Sequence, residues 1–479
     1  MSGAHTIGRW ITDRARTTPQ RVAIDHLGRS VTYAELDDLS ERFAASFVAR
    51  GLERGDRVAT LTGNSPEHVA VFFACAKTGL MLVPLSWRLA APELAYQLAD
   101  AEPALFLVED EHTALAEAGG HAFEPLVPTD NHEAVHVEVE DADPLLLVYT
   151  SGTTGRPKGA LLTHANCFWT NLSFDLATGV SGDDVVLQIL PQFHCGGWNV
   201  QALLAWWKGA RVVLERSFDA ARCLALIEEK RVTTMMGVPA NYLFLSHEPA
   251  FASADLSSLR RAVVGGAPMP EALLGLWHGR GVDIVQGYGL TEAAPNVLCL
   301  PPEDAARKAG WAGKPYPHVD VRLAADGELQ VRGPNVFAGY WRNPDPTAEV
   351  LVDGWLRTGD VAERDDEGFY RIRGRLKDMY ISGGENVYPA EVESVLYEHD
   401  GITDAAVVGV PDERWGEVGI AFVVADSSIS EDDVIDFVRD RLARFKAPKA
   451  VHFVDALPRS AMGKVSKEEL LAGVEQVKT

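Results

Sequence analysis

Cysteine is scarce in this sequence, and its placement excludes several kinds of site. The five cysteines are scattered without a C-x-x-C pair: Cys75, Cys167, Cys195, Cys223 and Cys299. Without paired cysteines the chain has neither the spacing of a zinc site nor a disulfide framework. The pattern indicates free thiols in a reducing compartment, so we expect a cytoplasmic protein.

Positive charge is also in short supply. The chain has 44 Lys and Arg residues against 68 Asp and Glu residues, a formal net charge of −24. Such a surface repels nucleic acid and anionic membranes, so neither is expected as a main partner. A signal-peptide pattern and a long uncharged apolar run are missing as well, which predicts no transmembrane segment.

The length of 479 residues exceeds what one hydrophobic core supports, so more than one domain is expected. Helix and strand patterns alternate at first, which is typical of parallel αβ layers. They predict strands at 57–61, 80–85 and 104–108, and helices that begin after Thr32, at Asn64 and at Pro92. The polar segment 111–143 is predicted to be an irregular connection.

After Trp311 the predicted elements are short strands separated by Gly, Pro and Asp turns, a pattern that predicts a β-rich subdomain. A compact unit follows Arg375, with helices predicted from Pro389 and at 431–442 and strands at 405–410 and 420–424. We therefore expect a mixed α/β protein with a large N-terminal domain at 1–375 and a small, mobile α+β domain at 376–479.

A glycine- and hydroxyl-rich loop carries the strongest chemical signal. After an apolar strand predicted at 144–149 it runs through Thr150, Ser151, Gly152, Thr153, Thr154 and Gly155 to Lys158. Glycines let backbone N–H groups approach an anion, hydroxyls add donors, and the lysine adds positive charge. The order of residues is not that of a Walker loop. The loop predicts a polyphosphate site, and a surface turn is the alternative.

Further clusters extend this signal. The segment from Gln286 through Gly287, Tyr288 and Thr291 to Glu292 offers an aromatic face, a hydroxyl and a carboxylate suited to Mg²⁺. Gly266, Ala267 and Pro268 allow close approach to a flat ring. Asp360 suits ribose hydroxyls, Arg375 precedes the predicted domain boundary, and Lys464 lies in a turn near the C terminus. Taken singly, these residues also fit a core aromatic, a turn former and a surface cation.

Together and in this order, the motifs resemble the adenylate-forming superfamily of acyl-CoA synthetases, adenylation domains and luciferases, over about residues 33–467. The resemblance implies a two-step ligase that uses ATP, Mg²⁺, CoA and a small carboxylic acid. The acid attacks the α-phosphate to give an acyl-adenylate and pyrophosphate, and a thiol then displaces AMP. Two anions must meet, so fixed positive charge is the main catalytic need.

The resemblance also implies residue roles. Lys464 matches the lysine that bridges the carboxylate and the α-phosphate, and Lys158 with the loop hydroxyls matches the pyrophosphate grip. Tyr288 stacks on adenine by this analogy, Asp360 and Arg375 hold the ribose, and Glu292 binds Mg²⁺.

The same resemblance places a hinge at Lys377, about which the C-terminal domain rotates. Rotation would bring Ser382, Gly383 and Gly384 to the site, where glycines leave room for the pantetheine arm of CoA. His194 matches a position beside the acyl carbonyl. A nucleophilic Cys195–His194 pair is an alternative that the adjacency of the two residues disfavours.

The acyl pocket is predicted between His194 and Tyr288, lined by Trp198, Met235 and Met236. Related malonate-type enzymes carry an arginine where this chain has Gly287, so an apolar monocarboxylic acid is expected. A medium- or long-chain fatty acid is favoured. An aryl acid and a stand-alone adenylation enzyme that loads a carrier protein are the alternatives.

A catalytically idle nucleotide-binding scaffold is disfavoured because the lysines and Glu292 are present. A homodimer is one oligomeric state that the sequence leaves open.

Overall fold

The structure, a computed structural model, describes residues 3–129, 137–150, 156–425, 429–459 and 465–477. The first strands are β1 Val22–His26, β2 Arg29–Thr32, β3 Arg57–Leu61, β4 Met81–Leu85, β5 Leu105–Val108, β6 Glu124–Pro125, β7 Pro144–Thr150, β8 Lys158–Thr163, β9 Val185–Gln188, β10 Arg211–Leu214, β11 Thr234–Gly237, β12 Arg261–Val264 and β13 Ile284–Gly289. The remaining strands are β14 Asn296–Cys299, β15 Lys314–Pro315, β16 Asp320–Leu323, β17 Glu328–Arg332, β18 Gly339–Tyr340, β19 Leu351–Val352, β20 Trp355–Arg364, β21 Tyr370–Arg375, β22 Tyr380–Ser382, β23 Glu385–Val387, β24 Ile402–Asp412, β25 Gly416–Ala425 and β26 Ala450–Phe453. The α-helices are α1 Arg9–Thr17, α2 Tyr33–Ala49, α3 Pro66–Thr78, α4 Ala91–Ala101, α5 Thr113–Ala118, α6 His164–Thr178, α7 Gly196–Asn199, α8 Ala202–Lys208, α9 Ala220–Glu229, α10 Pro239–His247, α11 Glu271–Gly279, α12 Pro344–Val350, α13 Pro389–Leu396, α14 Glu431–Arg439 and α15 Lys467–Val477.

Two large, mostly parallel sheets form the body of the protein. The first has the strand order β15-β14-β13-β12-β11-β9-β10-β1-β2, and the second has the order β18-β8-β7-β4-β3-β5-β6. Parallel strands are covered by helices on both faces and are therefore continuously apolar. Strand β4, with the sequence MLVPL, is buried at every position and shows this pattern.

Two smaller sheets follow along the chain. The third sheet has the order β16-β17-β20-β19, with β21 paired to β20, and it is antiparallel. The fourth has the order β23-β22-β25-β24, with β26 paired to β25. The predicted fold class is thus confirmed: a mixed α/β protein with a large N-terminal domain, a β-rich part and a smaller C-terminal domain.

Local sequence signals set several element ends. The Thr32 hydroxyl accepts from Glu35 N–H at 3.2 Å, and the Glu35 carboxylate accepts from Thr32 N–H at 2.7 Å, so α2 begins with the predicted capping box. The prediction that Asn64 caps α3 is wrong, because Ser65 is the cap. The Asn64 side chain instead donates to the carbonyls of Leu190 and Glu215, each at 3.0 Å. Asn64 follows a strand of the second sheet and its partners follow strands of the first, so this amide ties the two sheets together.

The segment 111–143 is less irregular than expected. Helix α5 forms there, and β6 pairs in parallel with the end of β5. A two-residue strand has no periodicity of its own, so only its pairing partner reveals it. Strands β24 and β25 are also longer than predicted, because their antiparallel pairing extends from the Ile402–Ala425 pair to the Asp412–Gly416 pair.

A carboxylate on α13 joins the C-terminal part of the chain to the third sheet. Arg373 on β21 donates to Glu391 on α13 at 2.8 Å, and Lys446 donates to the same carboxylate at 2.8 Å. Between the third and fourth sheets lies a 3₁₀ turn, Leu376–Asp378, in which Lys377 is exposed. A hinge at Lys377 and a boundary after residue 375 stay predictions.

All five thiols are buried and free of disulfides. Among the described residues, we find no helix whose length and hydropathy would let it span a bilayer.

Two core histidines predict how stability depends on pH. Burial lowers the pKa of His68 and of His164 from 6.5 to about 4. His164 Nδ1 accepts from Ile7 N–H at 3.1 Å, so a protonated ring would lose this bond. Between pH 6.5 and 4 the unfolded chain binds these protons and the folded chain does not, so stability falls on acidification, by roughly 3 kcal/mol per histidine.

Replacing His164 with Asn, which can still accept from Ile7 N–H, should therefore flatten this part of the pH profile. Urea unfolding midpoints at pH 7.5, 6.0 and 4.5 measure the effect. His247→Gln, at an exposed position, serves as the control. If the urea midpoint changed with pH equally in His164→Asn and in the unaltered chain, His164 would not be a cause of the pH dependence.

Candidate functional site

The buried carboxylate of Asp360 joins three strands at the first of two clusters of predicted site residues. Asp360 on β20 accepts from the Tyr288 hydroxyl at 2.6 Å and pairs with Arg375 Nε at 3.0 Å. Asp360 and Arg375 are cross-strand neighbours, whereas Tyr288 lies on β13 of the first large sheet. Thr358 Oγ1 accepts from Asp360 N–H at 3.0 Å and donates to Leu329 O at 2.6 Å. Asp360 is 5% exposed, its carboxylate is held by Tyr288 and Arg375, and its backbone N–H is held by Thr358.

The same contact keeps the Tyr288 phenol protonated. Burial raises the pKa of Tyr288 well above its usual range, and the Asp360 carboxylate raises it further. The hydroxyl is therefore a permanent donor, and the ring is held at a fixed angle. A rigid aromatic face beside a carboxylate and a guanidinium is a suitable set for a nucleoside.

A second cluster lies a few residues further along. Glu292 follows β13 in a 3₁₀ turn, Thr291–Ala293, and accepts from the Tyr340 hydroxyl at 2.9 Å. Lys158 Nζ lies 5.2 Å from the centre of the Tyr340 ring. Strand β18, which carries Tyr340, pairs with β8, which begins at Lys158. The arrangement places a cation, an aromatic ring and a carboxylate side by side, which suits a metal-bound polyphosphate.

The base of the predicted phosphate loop is formed by the paired ends of β7 and β8. Thr150 and Lys158 are cross-strand partners at the ends of β7 and β8. The Thr150 hydroxyl donates to Lys158 O at 3.4 Å, and the Tyr96 hydroxyl donates to Pro157 O at 3.2 Å. Residues Ser151, Gly152, Thr153, Thr154 and Gly155 lie outside the described residues, as does Lys464.

The predicted ring-binding residues lie at the carboxyl ends of neighbouring strands. Gly266, with φ +81°, Ala267 and Pro268 follow β12 and are exposed. Gln286 is two residues before Tyr288 on β13 and therefore on the same face of the strand. Its Oε1 atom is buried and has no hydrogen-bond partner among the described residues. An unpaired buried acceptor beside an aromatic face fits the 6-amino group of adenine.

Glycines line the opposite face of the same strands. A Cβ on Gly265 would lie 3.4 Å from Gly287 O and 2.9 Å from Met236 Cε, so these three residues are in contact. Gly287 has more room, since its nearest atom would be Leu298 O at 3.6 Å. Met236 is partly exposed over this glycine surface, and His194 is half-buried beside Phe193, with ring centres 4.5 Å apart. We call Gly265, Gly287 and Met236 the glycine slot.

Two of the predicted pocket residues have no exposed surface in this conformation. Trp198 stacks on Phe72 with centres 4.6 Å apart, and its Nε1 donates to Gln192 O at 2.6 Å. Met235 points into a separate apolar core. Both side chains are 0% exposed, so here they contact packed neighbours only.

The Cys195 thiol is also buried. Burial raises its pKa well above the usual range of a thiol, and Asn199 Nδ2 contacts Sγ at 3.6 Å. A thiol in such a place stays protonated and is a poor nucleophile. The geometry gives no support to a nucleophilic Cys195.

The predicted pantetheine residues lie at the turn of a hairpin. Ser382 is buried, whereas Gly383 and Gly384 are exposed with φ of +61° and +91° at the turn between β22 and β23. This hairpin belongs to the fourth sheet. Of the hydrogen bonds and ion pairs between described residues, none joins the hairpin to Asp360 or Glu292.

Two family models match most of this chain. The model of the AMP-binding enzyme family matches residues 11–341, and that of the AMP-binding enzyme C-terminal domain matches residues 391–464. The chain belongs to the AMP-binding enzymes. It is an AMP-forming acyl-CoA synthetase, as its motifs implied.

Two relatives and one solved structure align with nearly all of this synthetase. The feruloyl-CoA synthase of an Amycolatopsis species is 44% identical over 97% of this chain and 98% of its own length. The long-chain-fatty-acid–CoA ligase of Mycobacterium tuberculosis is 38% identical over 97% of each chain. The crystal structure of ATP-bound MatB from Rhodopseudomonas palustris is similar with a TM-score of 0.90 at 33% identity, covering 99% of this chain and 100% of that chain.

The sequence did not point to Tyr340, although its hydroxyl and ring contact two predicted site residues of the synthetase. It lies 48 positions after Glu292 in a strand of only two residues. Such a strand has no pattern of its own, so only its pairing with β8 brings the ring to Lys158. The Gly-Tyr-Trp sequence at 339–341 is the local feature that could have drawn attention to Tyr340.

Tyr340 provides a test of the cluster formed by Lys158, Tyr340 and Glu292, which we call the phosphate-side cluster. Tyr340→Phe removes the hydroxyl that donates to Glu292 but keeps the ring over Lys158, and a hydrogen bond to a charged group contributes about 1.5–3 kcal/mol. We expect MgATP to bind roughly tenfold more weakly. Titration of MgATP by calorimetry measures this, and Tyr340→Leu, which removes the ring as well, should bind more weakly still. Equal affinities for the two variants and the unaltered enzyme would contradict the role.

Proposed function

We propose that this synthetase joins a flat, apolar monocarboxylic acid of the aryl type to CoA, with ATP as the energy source. The carboxylate oxygen bonds to the α-phosphorus of ATP as the bond to pyrophosphate breaks. The CoA sulfur then bonds to the acyl carbon as the bond to AMP breaks, and the thiol proton is released to solvent or a base. Two groups of residues support this proposal. One is the nucleotide cluster, made of Gln286, Tyr288, Asp360 and Arg375, and the other is the glycine slot.

The nucleotide half of the proposal rests on fixed charge. Asp360 and Arg375 would hold the ribose, and Gln286 would accept from adenine. Glu292 would take Mg²⁺ with the oxygen that Tyr340 leaves free, and the ion would neutralise phosphate charge. Lys158 would steady the pyrophosphate that leaves, while Lys464 would bridge the two reacting anions.

The acyl half rests on the glycine slot. Strand alternation puts Gly287 on the face opposite Gln286 and Tyr288, so an acid in the slot lies across the strand from the nucleoside. Gly287 is partly exposed beside the buried Gly265, and Met236, which is also partly exposed, suits the face of an aromatic ring. No arginine stands at Gly287 to pair with a second carboxylate.

Packing is the reason to prefer an aryl acid over the fatty acid that the sequence favoured. A long alkyl chain needs a channel beyond the slot, but Trp198, Trp206 and Met235 are 0% exposed and packed on their neighbours. A flat ring needs only the slot itself. The feruloyl-CoA synthase at 44% identity is consistent with this choice.

A long-chain fatty acid is the second candidate. The observation in its favour is the ligase for such acids at 38% identity over 97% of both chains. A fatty acid would require Trp198 to leave its stack on Phe72 and open a channel. Tryptophan fluorescence on addition of a long-chain acid would report that movement.

Lys464 provides the first test of the reaction. Lys464→Ala should lower acid-dependent ATP–pyrophosphate exchange by at least about 100-fold, because a donor to the developing charge is lost. Binding of ATP should persist, which calorimetry checks. Unchanged exchange would remove Lys464 from the mechanism, and formation of ADP instead of AMP would rule out this chemistry.

Gly287 provides the test of the substrate. A Cβ fits there without clashes, so Gly287→Leu should fold and fill the slot, lowering kcat/KM for cinnamate-type acids by about 100-fold. Release of AMP with a panel of aryl and C8–C16 acids measures this, with calorimetry for ATP. Gly275→Leu, on an exposed helix position with open space, is the matched control. Greater activity of the unaltered enzyme on C16 acids than on aryl acids would favour the second candidate.

A further inference from the structure

A phenolic hydroxyl lies against the glycine slot. A Cβ on Gly287 would have Leu298 O at 3.6 Å, Val264 O at 3.9 Å and the Tyr316 hydroxyl oxygen at 4.0 Å as its nearest atoms. The two carbonyls belong to β14 and β12, the strands that pair with β13 on either side. Of these three oxygens, the hydroxyl is the one that a side chain supplies. Tyr316 therefore forms a polar point in the wall of the slot.

The backbone that carries this phenol is held on both sides. Tyr316 stands between Pro315 and Pro317, and a residue before proline is restricted to extended conformations. Its N–H donates to Val297 O at 3.0 Å. On the other side, Ser173 Oγ donates to Pro317 O at 2.6 Å. The segment is therefore fixed to both β14 and α6.

The ring of Tyr316 is held as well. Tyr316 is 3% exposed, and its ring lies at 30° to that of Phe174 on α6, with the ring centres 6.1 Å apart. A tyrosine side chain has only two rotatable angles, so a fixed backbone and a packed ring also fix the hydroxyl.

The neighbour of this hydroxyl is a thiol. Cys299 is the cross-strand partner of Gly287, so its side chain lies on the same face of the sheet as the slot. Burial raises the pKa of Tyr316 well above its usual range, and the Cys299 thiol raises it further. The phenol therefore stays protonated beside a weak hydrogen-bond acceptor. It can donate to a better acceptor that enters the slot.

We infer that the acid used by this synthetase carries a hydroxyl group on its aromatic ring, and that Tyr316 selects this group by a hydrogen bond. The inference rests on the proposed function and narrows its substrate class from aryl acids to hydroxylated aryl acids. The 4.0 Å from the Gly287 Cβ position to the Tyr316 oxygen is close to one C–O bond plus one O–H···O contact of about 2.7 Å. A ring carbon at that position places its hydroxyl within reach of Tyr316.

The surroundings favour a neutral hydroxyl over a charged substituent. The glycine slot, Tyr316 and Cys299 carry no cation, so a carboxylate at this point would be buried without a partner, which is costly. A methyl group would cover the Tyr316 hydroxyl without bonding to it, which is also unfavourable. A ring hydroxyl avoids both costs.

Paired acids with and without the hydroxyl test this selection on the full-length enzyme. AMP release gives kcat/KM for cinnamate, para-methylcinnamate and the three mono-hydroxycinnamates (ortho, meta and para). We expect the best hydroxycinnamate to exceed both other acids by about tenfold. Para-methylcinnamate separates the hydrogen bond from the size of the substituent.

Tyr316→Phe is the decisive variant, because it removes the oxygen and keeps the ring beside Phe174. It should lower kcat/KM for the best hydroxycinnamate by about tenfold and leave that for cinnamate within about twofold. Tyr397→Phe is the matched control, since that hydroxyl donates to Asp404 at 2.7 Å in the C-terminal part of the chain. It should keep the full preference.

Cys299→Ala separates the phenol from the thiol. It removes the neighbour that competes for the Tyr316 hydroxyl, so the preference for hydroxycinnamate should be kept or should rise. Loss of the preference in Cys299→Ala but not in Tyr316→Phe would assign the selection to Cys299 and overturn the inference.

Other outcomes separate the inference from the proposed function. Equal kcat/KM for cinnamate and the hydroxycinnamates in the unaltered enzyme would overturn the inference and leave the proposed function standing. Equal losses on all acids in Tyr316→Phe, with a lowered melting temperature, would give Tyr316 a purely structural role and overturn it too. Greater activity on C16 acids than on every aryl acid would remove the proposed function, and the inference with it.

Discussion

The hydrogen bond from Tyr288 to Asp360, completed by the ion pair with Arg375, is the contact on which the site depends. It joins the last parallel strand of the first large sheet to two strands of the third sheet. Because the carboxylate is buried, it must be paired to be stable, and its partners are the residues proposed to hold the nucleoside. The interaction that holds the sheets together is therefore the same one that shapes the binding surface.

The two large sheets meet through a second buried polar contact. Asn64 donates to carbonyls that follow β9 and β10, so the carboxyl ends of strands from both sheets lie together. Ligands of open parallel sheets bind at such strand ends. The phosphate-side cluster follows from this arrangement, since Lys158 comes from the second sheet and Glu292 from the end of the first. Tyr340 bridges the two.

Local signals predicted much of the fold correctly where the chemistry is local. The Thr32–Glu35 capping box needs only four consecutive residues, and β3 was predicted at its observed bounds, Arg57–Leu61. The prediction at Asn64 was wrong because Asn and Ser are both good caps, and the choice between them was made by carbonyls more than 120 positions away. Strands β6 and β18 are only two residues long and exist through their partners.

Residue types, order and spacing were enough to indicate the chemistry: a phosphate loop, an aromatic–carboxylate segment and a C-terminal lysine occur together in the adenylate-forming enzymes. Tertiary packing decided what order and spacing do not encode. It paired Tyr288 with Asp360 across 72 positions, brought Tyr340 to Lys158, and buried Trp198 where the sequence had suggested a pocket wall. The physical reason is that a side chain's chemistry is local, whereas its burial and its partners depend on which strands the whole chain places side by side.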